Sequence, residues 1–178
     1  MESLERRDEL INRATMYALS GADEQRYNFL RSYVRLYNHY RMSPPSRRLS
    51  VGSGGHEPIR IGCNYALDVT PLAGRFLLRS GLQISYVCGD CSSLPFADKS
   101  FDVGVCSEVI EHLARIEDVE ATLNELNRAC CKWVVTTPSV QVPEPDHRRV
   151  FTYAELAEWA ERFDAYVVRV GIWYIMYT

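Results

Sequence analysis

The sequence predicts an α/β fold with a doubly wound, mostly parallel sheet, helices on both faces and an N-terminal helical appendage. Two observations carry this prediction. From residue 48 onward, short apolar and β-branched runs alternate with amphipathic helical patterns, which is typical of chains built on a parallel sheet. Glycines and acids follow directly after several predicted strands, where α/β sheets bind their ligands.

The bulk composition is that of an ordinary globular protein. The chain has 178 residues, of which 47% are hydrophobic and 24% charged, and its net charge of −3 gives no argument for nucleic acid or a membrane surface. Its apolar runs are too short to span a bilayer, and its charged N-terminus lacks the apolar core of a signal peptide. Most of the six cysteines lie in apolar segments, so we predict reduced thiols and a cytoplasmic location.

The first part of the chain predicts two helices. One covers about 3–19, and a second begins after Asp23 and ends near Arg41, before the break at 43–46. We therefore expect residues 1–45 to form an N-terminal helical extension or lid. Residues 46–178 are expected to form the main domain of a chain that is a single domain overall.

The later elements follow in order, each with its own signal. Thr70 and Pro71 predict an N-cap and first helical residue, and Thr152 with Glu155 predicts a capping box. A further helix is predicted over 118–130 from its apolar face. Strands are predicted at Leu49–Gly52, Tyr65–Val69, Ile84–Cys88, Val103–Ser107 and Lys132–Thr137, with one or two closing strands in Ala165–Tyr177.

A glycine loop and two acids predict a pocket for a nucleoside-bearing cofactor. The loop Gly52–Gly55 follows the first strand, Asp68 ends the second, and Asp90 follows the third. The carboxyl ends of parallel strands meet at one edge of the sheet, so these residues are expected to converge. Asp68 would accept hydrogen bonds from both ribose hydroxyls, and Asp90 one from an exocyclic amine of adenine.

These motifs together resemble the class I S-adenosylmethionine-dependent methyltransferases, in particular their small type 11-like family. The resemblance implies a Rossmann-like fold, S-adenosylmethionine as cofactor with S-adenosylhomocysteine as product, and methyl transfer to an oxygen or nitrogen of a small-molecule acceptor. The matching segments are Leu49–Gly54, Ala66–Pro71, Gly89–Phe96, Phe101–Val103, Ser107–Leu113, Val134–Pro138 and Asp146–Thr152.

The resemblance also implies the cofactor-binding residues. They are Gly52, Ser53, Gly54, Asp68, Val69, Asp90, Cys91 and Ser107. Two departures stand in the glycine loop, where Ser50 replaces the family's usual acid and His56 its third glycine. They motivate a second hypothesis, a non-catalytic or degenerate cofactor-binding subunit of a complex.

The segment after the fourth strand offers two interpretations of its acids and histidine. Glu108, Glu111 and His112 would share a helix face and could bind a divalent cation together with His147. This pattern is similar to that of metal-assisted O-methyltransferases, including those of ubiquinone synthesis and of small-RNA 3′ ends, and it gives a third hypothesis. We instead predict His112 and Glu111 as catalytic residues, with His112 as a base or orienting group, and assign no metal ligand.

The predicted partner is a small-molecule acceptor. Arginines and tyrosines interleave over residues 26–48, a pattern that could hold single-stranded nucleic acid, but tyrosines at helical spacing are more simply core or lid residues. Nucleic acid is therefore the less favoured partner, and a membrane is not expected. The acceptor and the oligomeric state are left open.

Overall fold

The structure, a computed structural model, describes residues 21–39, 46–142 and 144–178. Within these ranges, five α-helices and seven β-strands follow one another largely in alternation. The helix predicted over 3–19 and most of the predicted break at 43–46 lie outside the described residues.

The helices begin where local signals in the sequence place them. Thr70 Oγ1 accepts a hydrogen bond from Leu72 N, and the Thr152–Glu155 capping box forms in both directions, so both predicted helix starts are confirmed. A 3₁₀ turn covers Ile110–His112. The helices are α1 (Gly21–His39), α2 (Glu57–Ile61), α3 (Pro71–Arg79), α4 (Ile116–Ala129) and α5 (Tyr153–Arg162).

The strands form one sheet in the order β3-β2-β1-β4-β5-β7-β6. The first five are parallel, and β7 runs antiparallel to both β5 and β6. This confirms the predicted doubly wound, mostly parallel sheet. The strands are β1 (Arg48–Val51), β2 (Tyr65–Asp68), β3 (Ser85–Cys88), β4 (Phe101–Ser107), β5 (Cys130–Pro138), β6 (Tyr166–Val170) and β7 (Trp173–Tyr177).

Each face of the sheet buries its own apolar cluster. Helix α4 presents Leu123 and Leu126 to one face, where they join Trp133 and Val135 of β5. Val134, between those two strand residues, points into the cluster on the other face. This alternation along β5 is the period-2 pattern of a strand covered on both sides.

Helix α1 packs into the cluster on the second face. Leu30 and Val34 are almost fully buried there, and Tyr33 is buried with its hydroxyl oxygen 2.9 Å from both Trp133 O and Thr178 O, either of which can accept its proton. Tyr27 is buried as well. The described tyrosines of this helix are therefore core residues, as their helical spacing indicates. The side chains of residues 35–39 and the whole of residues 40–45 lie outside the described part.

The cysteines and helices place two simple limits on the molecule. All six cysteines are free, and burial raises the pKa of the Cys130 thiol to about 12. Buried thiols of this kind are poor nucleophiles. Among the described helices, none combines the length and the apolar character needed to cross a membrane.

Candidate functional site

The site lies where the strand order reverses, between β1 and β4. After β1 the chain turns through Gly52, whose φ is +67°, and Gly52 N and Ser53 N both donate to Leu67 O of β2, at 2.9 and 3.3 Å. A Cβ on Gly52 would come within 2.3 Å of Val109 Cγ2. Backbone conformation and close packing therefore both require glycine here.

Asp68 organises this glycine loop. Its Oδ2 accepts a hydrogen bond from Gly54 N and its Oδ1 one from Thr70 N, both at 2.9 Å, and the residue is buried. A carboxylate oxygen has two acceptor positions, so ligand hydroxyls can still be bound. The acid thus links the loop after β1 to the start of α3.

Asp90 lies beside Asp68 at the next strand end, where Gly89 N donates to Asp68 O at 2.9 Å. Asp90 Oδ1 accepts from the backbone and the hydroxyl of Ser92, each at 2.8 Å, and these hydrogen bonds lower the pKa of Asp90. Cys91 is half-buried against Thr122, whose hydroxyl lies 3.4 Å from its Sγ. The two acids therefore stand side by side, as their positions in the sequence predict.

Arg128 of α4 holds the segment that follows Asp90. Its guanidinium donates to Leu94 O at 3.1 Å and to Phe96 O at 2.8 Å, and it pairs with the carboxylates of Asp98 and Glu125 at 2.7 Å. A planar guanidinium can serve these acceptors simultaneously because its donors have a fixed fork geometry. The loop that carries Asp90 is thereby fastened to helix α4.

We expect Arg128→Lys to weaken binding of S-adenosylhomocysteine about fivefold, because an ammonium cannot replace the fork of contacts and the segment after Asp90 loosens. Calorimetric titration measures the affinity, and hydrogen exchange of residues 92–98 measures the loosening. Arg162→Lys is the matched control, since Arg162 makes an exposed ion pair with Glu120. Equal affinities for the wild type and both variants would refute this role.

A cavity of about 500 Å³ opens beside the glycine loop. Five of the predicted site residues line it: Gly52, Ser53, Gly54, Ser107 and His112. The other five, Asp68, Val69, Asp90, Cys91 and Glu111, do not line it. Val69 is 76% exposed and lies outside, whereas Glu111 is fully buried behind the wall.

The loop side of this cavity fits the methionine end of the cofactor that the resemblance implies. Ser53 Oγ is buried and has no hydrogen-bond partner among the described residues, and Gly54 has a φ of +54° and would place a Cβ 3.9 Å from His56 Cε1. A buried hydroxyl without a partner is costly unless a ligand or water satisfies it. Together with Asp68 and Asp90, these atoms form a continuous row of polar groups along the strand ends.

Glu111, His112 and His147 converge on one point. One ligand atom from each lies within 4.8 Å of the others. Glu111 Oε1 and His147 Nδ1 are buried and have no hydrogen-bond partner among the described residues. Carboxylate oxygens and imidazole nitrogens are the donors that divalent cations bind in proteins. The donor set therefore fits such a cation.

Burial sets the charge of this cluster. Burial raises the pKa of Glu111 well above its usual range, and the negative charge of Glu108 is the second cause. The hydroxyl of Thr137 donates to Glu111 Oε2 at 3.3 Å. Burial is also the main cause that lowers the pKa of His147, and the neighbouring His112 is the second cause. An ionised Glu111 is thus unfavourable without a counter-ion.

The histidines are held by the loop after β5. His112 Nδ1 lies 3.4 Å from Asp146 Oδ2, His147 Nε2 lies 3.3 Å from Glu144 Oε2, and the two rings meet edge to face with centroids 4.6 Å apart. A carboxylate on one ring nitrogen fixes which nitrogen is left to accept a proton or bind a metal.

Glu108 differs from the sequence-based prediction. It was expected on one helix face with Glu111 and His112, but it lies before the 3₁₀ turn with a φ of +58°. Its Oε1 accepts from Thr136 Oγ1 at 2.8 Å and lies 3.2 Å from the guanidinium of Arg26. The left-handed backbone turns Glu108 away from the other three residues, and such strain is typical of functional sites.

Several cavity-lining residues were not among the predicted site residues, and Arg26 and His56 are two of them. Arg26 of α1 donates to Ser107 Oγ at 2.9 Å, and its guanidinium stacks 4.7 Å from the ring centroids of both Tyr27 and Trp173. His56 was noted only as a missing glycine, yet its ring borders the loop, and burial followed by Arg60 lowers its pKa. No local pattern distinguishes Arg26 from the other arginines of its helix.

The comparisons with known proteins agree with this geometry. Residues 59–132 match the model of a family described as a methyltransferase domain. This match is consistent with the class I S-adenosylmethionine-dependent methyltransferases that the sequence resembles. Members of this class use S-adenosylmethionine as methyl donor, so the resemblance, the enzyme class and the cofactor predicted from the sequence are confirmed. No curated protein sequence matches the chain significantly.

Three solved structures show the same fold. The methyltransferase domain of bacterial CtHen1-CN is 18% identical, with 88% of this chain and 98% of that chain covered and a TM-score of 0.68. A Thermotoga maritima S-adenosylmethionine-dependent methyltransferase, a possible histamine N-methyltransferase, is 13% identical, with 95% of each chain covered and a TM-score of 0.68. Burkholderia thailandensis 1,6-didemethyltoxoflavin-N1-methyltransferase, with bound S-adenosylhomocysteine, is 16% identical, with 99% and 86% covered and a TM-score of 0.66.

Proposed function

We propose that this methyltransferase transfers the methyl group to a hydroxyl oxygen of its acceptor, and that Glu111, His112 and His147 hold a divalent cation beside that hydroxyl. The observation that carries the proposal is the convergence of these three residues with two buried, unpartnered donor atoms. It departs from the sequence-based prediction, which made Glu111 and His112 catalytic residues and assigned no metal ligand although it weighed a cation at these residues.

Glu108 is proposed as the fourth ligand. It lines the same cavity as His112 and His147. Rotation of its side chain is needed before it can join the other three, because it now contacts Thr136 and Arg26.

The cofactor is proposed to lie along the strand ends. Gly52, Ser53, Gly54 and Ser107 would border its methionine end, where Ser53 Oγ offers an unsatisfied hydrogen-bonding group. Asp68 and Val69 would hold the ribose, and Asp90 with Cys91 the adenine. S-adenosylmethionine supplies an electrophilic methyl group, so the protein has mainly to position the acceptor in line with it and exclude water.

The residues of the cavity wall indicate what the protein contributes to the reaction. When bound, a divalent cation would lower the pKa of a hydroxyl that contacts it. His112 lines the cavity, and Asp146 holds its ring in place. The wall also carries the carboxylates of Glu57 and Glu144, which disfavour an acceptor with its own negative charge at the reacting end.

An acceptor with two neighbouring hydroxyl groups suits this site. Two adjacent oxygens can approach a cation together, as in a catechol or in the cis-diol of a terminal ribose. We favour a small catechol-type acceptor, because the cavity of about 500 Å³ is within the range of small-molecule sites. A terminal ribose is the alternative that the test separates.

A second candidate is methyl transfer to an amine. The carboxylates of Glu57, Glu108, Glu144 and Asp146 on the cavity wall would attract a protonated nitrogen base. Two of the structural neighbours are named as an N1-methyltransferase and a possible N-methyltransferase. Such a reaction would have no need of a cation.

We expect purified protein to bind S-adenosylhomocysteine and to methylate a catechol in a cation-dependent way. Addition of EDTA should reduce the rate at least tenfold, and excess Mg²⁺ or Mn²⁺ should restore it. The measurement is transfer of a labelled methyl group to a catechol, to an RNA with a free 3′ end, and to an aromatic amine. A matched RNA with a 3′-terminal 2′-O-methyl group is the control for the ribose arm.

The arms of this experiment separate the candidates. Cation-dependent methylation of the catechol supports the proposal. Cation-dependent methylation of RNA alone would instead identify the terminal ribose as the acceptor. Methylation of the amine that EDTA leaves unchanged would contradict the cation site. Binding of S-adenosylhomocysteine without methylation of any acceptor would support the hypothesis of a non-catalytic cofactor-binding subunit, and no binding at millimolar concentration would contradict the proposed function.

A further inference from the structure

We propose that Arg26 is the resident counter-cation of Glu108, and that a divalent cation entering the site competes with Arg26 for Glu108. This inference rests on the proposed cation site. Arg26 belongs to helix α1 and not to the sheet. The proposal therefore makes α1 a positioning element for the reaction.

Arg26 is fixed in place by contacts on all sides. It is 5% exposed, donates to Ser107 Oγ, and lies between the rings of Tyr27 and Trp173. Burial of a guanidinium is costly unless the group is paired and hydrogen-bonded. Its ion pair with Glu108 at 3.2 Å therefore contributes to the docking of α1 on β4.

Glu108, the acid that pairs with Arg26, is one of the proposed ligands of the cation. Glu108 shares its Oε1 between Arg26 and Thr136 Oγ1, and Ser107 Oγ in turn lies 2.9 Å from Thr136 Oγ1. One hydrogen-bonded network thus joins Arg26 to Glu108. Glu111 is the next acid along the chain and is fully buried.

The guanidinium of Arg26 and a divalent cation bound to Glu108 would repel each other. Two positive charges near one acid repel each other, and this repulsion is screened less in a partly buried site than in bulk water. Removal of the Arg26 charge should therefore tighten cation binding, although it also removes a stabilising contact. A residue with only a structural role would give the loss of stability without the gain in affinity.

The test is a titration of the full chain with Mn²⁺, without cofactor or acceptor, in which EPR measures the free ion. We expect Arg26→Gln to bind Mn²⁺ about tenfold more tightly than the wild type, and Arg26→Lys to bind it as the wild type does. Arg31→Gln is the matched control, because Arg31 is on the same helix and pairs with the exposed Glu24. Its affinity should be unchanged.

Thermal unfolding supplies a second readout. In EDTA, Arg26→Gln should unfold about 3 °C below the wild type, and saturating Mn²⁺ should raise its melting temperature more than that of the wild type. Arg26→Met, which keeps an unbranched chain between the two rings, should show the same gain in Mn²⁺ affinity and serves if the glutamine variant does not fold.

Each outcome decides between the two proposals. Tighter Mn²⁺ binding by the neutral variants, with no change in Arg31→Gln, supports the role of Arg26. Equal or weaker binding by the neutral variants, when the wild type binds Mn²⁺, overturns it and leaves the proposed function standing. If neither the wild type nor any variant binds Mn²⁺, both proposals fail.

Discussion

Replacement of Glu111 by glutamine is expected to lower the cation-dependent rate of methyl transfer by about 100-fold or more. Glutamine keeps the shape and one oxygen of the side chain but cannot supply the negative charge that a divalent cation requires. Because Glu111 is fully buried, no neighbouring water can take over its position. The loss should appear mainly in kcat at saturating cofactor.

The same substitution is expected to stabilise the protein when no cation is bound. Glu111 carries a buried oxygen without a partner among the described residues, and its ionised form is unfavourable there. A neutral amide removes that cost, so we expect the free energy of unfolding to rise by about 1 kcal/mol. In a domain of this size it corresponds to a rise of about 3 °C in melting temperature.

Activity and stability are therefore expected to move in opposite directions. Methyl transfer with added Mg²⁺ and thermal unfolding in EDTA measure the two quantities on the same preparations. Glu158→Gln, an exposed acid on α5, controls for the change in net charge. A variant that loses activity and stability together would assign Glu111 to the support of the 3₁₀ turn instead.

The parts of the fold that local chemistry determines could be predicted from the sequence. The helix starts at Thr70 and Thr152 depend on one hydroxyl and the residues that follow it, and both form as expected. The strands are marked by apolar runs of the length that the sheet uses. Helix α2 has five residues because the span between Gly52 and Asp68 is short. The position of α1 against β4 needed tertiary contacts that no local pattern records.

The candidate site could be predicted only in part, for a physical reason. Asp68 ends β2 and Asp90 follows β3, and parallel pairing brings these strand ends together. Glu108 was misplaced because a helical spacing was assumed, whereas the chain enters the left-handed region there before the 3₁₀ turn. Arg26 meets Ser107 across 81 positions of sequence, and such a contact depends on how a whole helix packs.

Replacement of Asp68 by asparagine should raise the dissociation constant for S-adenosylhomocysteine about 30-fold, or about 2 kcal/mol. Both carboxylate oxygens accept backbone N–H groups, from Gly54 and from Thr70. An asparagine has one acceptor oxygen, so its NH₂ group must face one of these donors in either orientation. The glycine loop then shifts, and the charged acceptor for the ribose hydroxyls is lost as well.

A matched variant separates cofactor binding from the stability of the turn. Asp102 Oδ2 accepts the backbone N–H of Arg47 at 2.8 Å, near the opposite end of the sheet, so Asp102→Asn should lower the melting temperature without changing the affinity for S-adenosylhomocysteine. If both variants lose the same stability and Asp68→Asn still binds within twofold of the wild type, Asp68 only shapes the loop. A selective loss of affinity in Asp68→Asn would show that this acid supports cofactor binding, directly or through the glycine loop that it holds, because a shared loss of stability cannot produce a difference in affinity.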